Sequence, residues 1–256
     1  MDLSSVSPTA AMLKEQIDIH EFFFHHHDEV LTHSSLWGDF NFSLNGLLQI
    51  QVEQRTFFAP PNYGVWLPPR TTHCCLNIDQ PTHFVCIRLH PQLSAKLSDC
   101  PKTLEIQPFF HALVKEILDP TRDHSEQSRL HLLQVLLDQL LTAKQYDHYL
   151  PASAHPVLAP ILNALADAKR FAQSLQQILD DFEISERHAL RLCQQELNMG
   201  LSEWRNRAKV VYAVAKIRQG DSVKRIALEL GYHQSSSFIA FFKRYTGHTP
   251  VQLRTR

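Results

Sequence analysis

Two glycines set the limits of what the end of this chain can fold into. Gly231 follows a helix-like run over residues 223–230, and Gly247 closes a segment that opens at Ser235. A glycine after an apolar-periodic run is a common helix stop, because without a Cβ it adopts positive φ without strain. Between the two glycines, Phe238, Phe241, Phe242 and Tyr245 recur three and four apart, so one face of a short helix is apolar. Ser235 offers a cap at its start, and Pro250 bars its continuation. The other face holds Ser235, Ser236 and Lys243, with Ile239 and Ala240 between them. A helix, a tight turn and a second short helix with a polar N-terminal face is the helix-turn-helix plan, whose second helix enters a DNA major groove.

The order of residues narrows this further. Gly231-Tyr232, Ser236, Phe238, Phe242-Lys243, Gly247 and Thr249-Pro250 stand at the spacing of one long motif. It resembles the C-terminal signature of AraC/XylS-type bacterial transcription regulators. The resemblance implies an all-α DNA-binding domain with two helix-turn-helix units, so a second unit is expected upstream.

Residues 174–182 supply its first helix, with Ser174 as cap and Leu175, Ile178, Leu179 and Phe182 at helical spacing. Ser185 caps the next helix, and Glu186 lies near its positive end. Asn198 stands where the family has Gly, and Asn is the next most tolerant residue there. Ala189 and Cys193 replace the family's Leu and Phe, which predicts a thinner core in this unit. Ser202 is read as the cap of a long joining helix over residues 203–219, whose Trp204, Ala208, Val211, Tyr212 and Ala215 form an apolar stripe.

Charge divides the chain at the same place. Residues 157–256 hold 15 Lys and Arg against 9 Asp and Glu, a net of +6, and the remainder carries −7, giving −1 for the whole. A near-neutral total thus hides a basic half fit to meet phosphates and an acidic half. Solvated helix surface is the plain alternative for any single cation. The resemblance places Arg187, Leu190, Arg191 and Gln194 of the first recognition helix toward the groove, and Ser235, Ser236, Ile239, Ala240 and Lys243 of the second. Arg holds guanine bidentately and Gln pairs with adenine, whereas Ser, Ile and Ala read bases weakly. The first helix is therefore expected to carry more of the specificity. Lys243, Arg244, Lys224 and Arg225 are expected on phosphates, which position without specifying. Rigid joining would set the two helices about one DNA turn apart, roughly 34 Å.

The preceding 150 residues read differently. Phe40, Phe42 and Leu44 alternate with Asn41 and Ser43, and Ile50 with Val52 and Val85 with Ile87 repeat the pattern. Turn signals fall at Asn45-Gly46, Pro60-Pro61-Asn62 and Asp79-Gln80-Pro81. Many short strands so spaced suggest a barrel or jelly roll. Trp66-Leu67-Pro68-Pro69-Arg70-Thr71-Thr72-His73 resembles a turn of the cupin-like sensor domains of the same family, with Arg70 in place of Gly. His33, Ser35, Trp37 and Gly38 resemble the opening strand of that domain. A barrel would offer a cavity for a small-molecule effector, and His33, Trp37, Phe40, Phe42, Trp66 and His73 are the candidates for its lining. Plain core is the equal alternative for these aromatics.

No catalytic pattern accompanies them. His25-His26-His27 is conspicuous, but neighbouring residues on a strand point to opposite faces and cannot share one ion. His33 lacks the paired His and following Glu of catalytic cupins, so neither a metal, a cofactor nor an enzymatic role is expected. No Gly-rich phosphate loop or nucleophile elbow is present. The five cysteines, Cys74, Cys75, Cys86, Cys100 and Cys193, show no paired spacing, which predicts reduced thiols in the cytoplasm. No stretch is apolar enough for a membrane span or reads as a secretion signal.

Two helices are expected between the halves, over residues 106–118 and from Ser128 to Tyr149. In the second, Leu130, Leu133, Leu137 and Leu140 recur three and four apart with Val135, Leu136 and Leu141 beside them. The family resemblance implies a homodimer packed here; cover for the barrel is the alternative. Pro151, Pro156 and Pro160 mark a stiff linker. The sequence thus reads as α+β: residues 1–150 a cupin-like β-barrel (jelly roll) for sensing and dimerisation, residues 157–256 an all-α domain with two helix-turn-helix units. The expected partners are promoter or operator DNA, a second copy, a small-molecule effector and, for an activator, RNA polymerase. A ligand-independent regulator with the barrel as scaffold, and a metal-dependent cupin enzyme with a DNA-binding tail, are the alternatives.

Overall fold

The computed structural model describes residues 10–24, 31–44, 46–76 and 82–254. His25–His27, Asn45 and the Asp79–Pro81 turn signal lie outside the described residues. Contacts divide the chain into two units, Met1–Leu44 with Leu48–Asp147, and Asn45–Leu47 with His148–Arg256.

In the first unit α1 (Ala10–Gln16) leads into β1 (Ile17–Phe24), β2 (Gly38–Ser43), β3 (Leu48–Val52), β4 (Arg55–Ala59), β5 (Tyr63–Leu67), β6 (His73–Cys75) and β7 (Thr82–Leu89). α2 (Pro91–Ser94), β8 (Lys102–Glu105), α3 (Pro108–Leu118), α4 (Glu126–Thr142) and β9 (Gln145–Tyr146) complete it. The alternating runs become strands as their period requires, and the Pro60-Pro61-Asn62 turn closes with Tyr63 N–H donating to the Pro60 carbonyl at 2.8 Å. One sheet has six strands in the order β1-β7-β2-β5-β8-β9 and the other has three, β4-β3-β6. Among the described residues their hydrogen bonds do not close into a ring, so the barrel expectation is met only as two sheets.

Every residue of β2 is buried, because both of its faces are covered. Phe40 and Phe42 point toward the helices and join Trp66, Val85, Ile87, Phe110, Val114 and Leu140 in one apolar core. Phe110 meets both rings edge-on, with centroids 5.8 and 5.4 Å away.

Two helix boundaries differ from expectation. α3 starts at Pro108, a favourable first residue, after an extended Gln107. The helix expected from Ser128 to Tyr149 is α4, and it stops at Thr142. Ala143 is extended and Gln145 pairs with Leu104 of β8, so sheet bonding replaces the helix's last turns. Leu130, Leu133, Leu136, Leu137 and Leu140 are buried within this unit, leaving Val135 exposed.

The second unit is helical: α5 (Leu158–Ala166), a 3-10 turn (Ala168–Arg170), α6 (Leu175–Asp180), α7 (Glu186–Leu197), α8 (Leu201–Arg218), α9 (Val223–Glu229), α10 (Ser235–Thr246) and α11 (Pro250–Arg254). Its core gathers Leu162, Ile178, Trp204, Val214, Phe238 and Phe242 among others.

Candidate DNA-binding face and sensor cavity

The first helix-turn-helix pair is α6 and α7. Ser174 makes a full capping box with Gln177: its hydroxyl accepts from Gln177 N–H at 3.1 Å, and the Gln177 side chain accepts from Ser174 N–H at 2.7 Å. Ser185 Oγ accepts from His188 N–H at 3.3 Å and so caps α7. Ala189, Leu192 and Cys193 turn inward, while Arg187, Leu190, Arg191 and Gln194 are exposed at the three- and four-residue spacing of one face. Gln194 donates its amide to Asn198 Oδ1 at 3.0 Å, and Asn198 takes the left-handed conformation, φ 48°, that ends the helix.

The second pair is α9 and α10. Ser222 caps α9 through Arg225 N–H. Gly231 has φ 85°, and a Cβ there would lie 2.9 Å from the Ala172 Cα, so both backbone and space demand glycine. Phe238, Phe241 and Phe242 are buried; Ser236, Ala240, Lys243 and Arg244 are exposed, and Ser235 and Ile239 half-buried. Two caps differ from expectation. Gln234, not Ser235, precedes α10, and its side chain caps nothing; Gly200, not Ser202, precedes α8. In each case the helix begins early enough to enclose the serine in its first turn.

A set of polar bonds not foreseen from the sequence ties α8 to both pairs. Arg205 donates to the carbonyls of Phe171 and Gln173, just before α6. The buried Arg207 pairs with Glu203 at 2.9 Å and donates to the Tyr149 carbonyl at 3.0 Å, and Trp204 Nε1 donates to Pro151 at 2.8 Å. The start of the expected linker is therefore anchored. Lys209 Nζ donates to Leu230 O at 2.7 Å, and burial draws its pKa down to about 8. Tyr212 donates to Glu229 and Tyr245 to Glu203.

Among the described residues Arg187, Arg191, Lys224 and Lys243 form no ion pair, which leaves their charge free. Arg225, expected on phosphate, is instead held by Glu229 at 2.9 Å and Asp221 at 3.6 Å.

In the first unit the six lining candidates separate. His33 and His73 border a cavity of about 70 Å3 that is reached by β1, β2, β6 and β7. Their rings lie 4.4 Å apart and their backbones form an isolated bridge. Phe40, Phe42 and Trp66 do not line it; they belong to the helix-covered core. Trp37 stands elsewhere, edge-on to His90 at 5.4 Å. The Arg70 that replaces glycine has φ 66°, the conformation for which glycine is suited. The cavity wall is supplied instead by the opposite faces of the same strands: Asp39, Asn41 and Arg88, with Phe22, Phe24 and Phe84. Asp39 is 3% exposed and Asn41 5%. Burial pushes the Asp39 carboxyl above its usual range against the pull of Arg88 and Ser35, and lowers the His73 imidazole. Nδ1 of His73 faces the Thr71 carbonyl at 2.9 Å, so in the neutral ring Nε2 is an acceptor. Burial also lifts the Cys75 thiol to about 12, which keeps it neutral. All five cysteines are free thiols, and among the described residues no three His, Cys, Asp or Glu converge as metal ligands.

A helix-turn-helix domain family matches residues 178–256, which spans most of both pairs. The HTH-type transcriptional regulator NimR of Escherichia coli (strain K12) is 28% identical over 219 residues, covering 85% of this chain and 80% of its own. The chain carries a helix-turn-helix domain and is similar over most of its length to a transcriptional regulator. Among solved structures, ToxT from Vibrio cholerae O395 aligns over 94% of this chain and 98% of its own, at 11% identity and a TM-score of 0.38. The C-terminal domain of AraT, a response regulator from Geobacillus stearothermophilus, aligns over 40% of this chain and 86% of its own, at 20% identity and a TM-score of 0.37. Among the described residues no helix is long and apolar enough to cross a membrane.

Proposed function

We propose that this chain is an AraC-type transcription regulator that reads promoter or operator DNA chiefly through α7, holds the backbone with Lys224, Lys243 and Arg244, and is switched by a small molecule in its first unit. The observation that carries the DNA reading is the exposed row Arg187, Leu190, Arg191 and Gln194, with both arginines free of ion pairs among the described residues. Arg187 and Arg191 would take guanine edges bidentately; Gln194 would exchange its bond to Asn198 for an adenine. Ser235, Ser236, Ile239 and Ala240 of α10 would follow groove shape and thymine methyls. The bonds from Arg205 and Lys209 support a rigid α8, which would keep the two recognition helices about one DNA turn, roughly 34 Å, apart.

The protein would act in the cytoplasm as a homodimer, without enzymatic activity. Val135, exposed on α4, is left open to a second copy. A ligand that prefers one arrangement of the sensor would shift the population of DNA-competent dimers. The burial of Phe40, Phe42 and Trp66 favours a second reading, in which the first unit is only a dimerisation scaffold. Thermal unfolding in the presence of metabolite mixtures separates the two, since selective binding to the folded state raises the melting temperature. The DNA reading is tested by selection from randomised duplexes with purified protein: a recovered motif supports it, and unselected, salt-sensitive binding contradicts it.

A further inference from the structure

The two helix-turn-helix pairs touch each other, and one residue of α8 reaches both sides of the contact. The turn before α6 lies against the turn between α9 and α10: a Cβ on Gly231 would stand 2.9 Å from the Ala172 Cα and 3.3 Å from the Phe171 carbonyl oxygen. Backbones this close leave no room for side chains of the two turns to interlock, so the groups that hold them come from α8. Arg205 and Lys209 stand one helical turn apart there. Arg205 donates to the carbonyls of Phe171 and Gln173, on the side of the first pair. Lys209 faces both pairs. Its Nζ donates to the Leu230 carbonyl at 2.7 Å, and it lies 6.0 Å from the centre of the Phe171 ring and 5.5 Å from that of Tyr232.

The surroundings of this ammonium do little else for it. Among the described residues Lys209 forms no ion pair, and the neighbouring charge of Arg205 opposes its own. With its pKa drawn down to about 8 it is still mostly protonated at pH 7, so it presents positive charge to both rings. An apolar side chain would fill the same space without desolvating a charge. It would lack attraction toward groups of both pairs at once: Phe171 before α6, and Leu230 and Tyr232 between α9 and α10. Tyr232 in turn packs on Phe238 and Phe241 of α10, with centroids 6.0 and 5.5 Å away, and Phe171 is buried three residues before the Ser174 cap of α6.

We propose that Lys209 is the positioning residue that fixes the second helix-turn-helix pair against the first, and so sets the distance between the two DNA segments the protein accepts. This rests on the reading of α7 and α10 as recognition helices and adds to it a specificity-determining residue other than those proposed to touch DNA. The local alternative is that Lys209 only satisfies the last carbonyl of α9, as cations at helix C-termini do. The two roles differ in what their loss does. A lost cap weakens DNA binding at every spacing alike, whereas a lost joint lets the recognition helices shift and lowers the penalty for a wrong spacing.

The test uses the full-length protein and the duplex it prefers in selection, with one base pair added or removed between the segments, which turns one against the other by about a tenth of a turn. Affinities are read by fluorescence anisotropy. Wild type is expected to bind the altered duplexes about tenfold more weakly than the preferred one. Lys209→Met should shrink that ratio by about threefold or more. Circular dichroism shows whether the variant is folded; if it is not, Lys209→Gln, which keeps a donor and loses the charge, takes its place under the same criterion. A wild type indifferent to spacing, or a folded variant that keeps the wild-type ratio while losing affinity on every duplex, overturns the proposal and leaves the DNA reading standing. Selection that returns no preferred duplex removes the DNA reading itself, and the proposal with it.

Discussion

The two recognition helices are matched in length and opposite in construction. α7 and α10 each have 12 residues, and each ends at a left-handed cap, Asn198 and Gly247. Inside, α7 presents Ala189, Leu192 and Cys193 where α10 presents Phe238, Phe241 and Phe242. Outside, α7 shows two arginines and a glutamine, whereas α10 shows Ser236, Ala240 and Lys243. Burial of three phenylalanines stabilises far more than burial of an alanine, a leucine and a cysteine, by roughly 25 cal/mol per Å2 of apolar area. The difference teaches that anchoring and reading are separable within one fold: α10 holds the domain together and α7, on the proposed reading, chooses the site.

Four pairs of substitutions break or sharpen that contrast. The largest effect is expected inside. Phe242→Ala should cost about 3–5 kcal/mol in chemical denaturation, against about 1 kcal/mol for Cys193→Ala. Equal losses would mean that the two interiors contribute alike. Next comes the outer face. Arg191→Ala should weaken binding to the selected duplex by about 1–3 kcal/mol and leave unselected DNA alone, with Ile239→Ala costing less than about 1 kcal/mol. A uniform loss on all DNA would make Arg191 a phosphate contact.

The helix ends give a smaller effect. Gly247→Ala forces a Cβ into the left-handed region and should cost about 1–2 kcal/mol, whereas Asn198→Gly should stay within about 0.5 kcal/mol of wild type. The smallest concerns the starts. Ser185→Ala should lose about 1 kcal/mol with its cap, and Gln234→Ser should gain a few tenths by supplying one. No gain would show that the start of α10 is already satisfied.

The helical unit was legible because its signals are local. Gly231, Gly247, Asn198 and the spacing of the phenylalanines each fix a backbone conformation or a face within a few residues. The misread caps at Ser202 and Ser235 are the limit of such signals: a serine in the first turn and a serine before it look the same in one dimension. The polar bonds of Arg205, Arg207 and Lys209 join positions far apart in sequence and left no local trace. In the first unit the alternation of Phe40-Asn41-Phe42 gave the strand but not which face met the helices. The aromatics took the core and the polar face took the cavity. The signal was present in Asp39, Asn41 and Ser43, polar at period two within a strand too apolar to stand at an edge. α4 was overextended because residues 143–146 leave the helix for a sheet partner forty residues earlier.

The most direct test is selection of bound duplexes from a fully randomised library by the wild-type protein, followed by sequencing. The account predicts half-sites in which one groove segment shows strong base preferences and a second, about one helical turn away, shows weak ones; Arg191→Ala should flatten the strong segment. Equal preferences in both segments, or a strong segment that survives Arg191→Ala, would contradict the division of labour between α7 and α10.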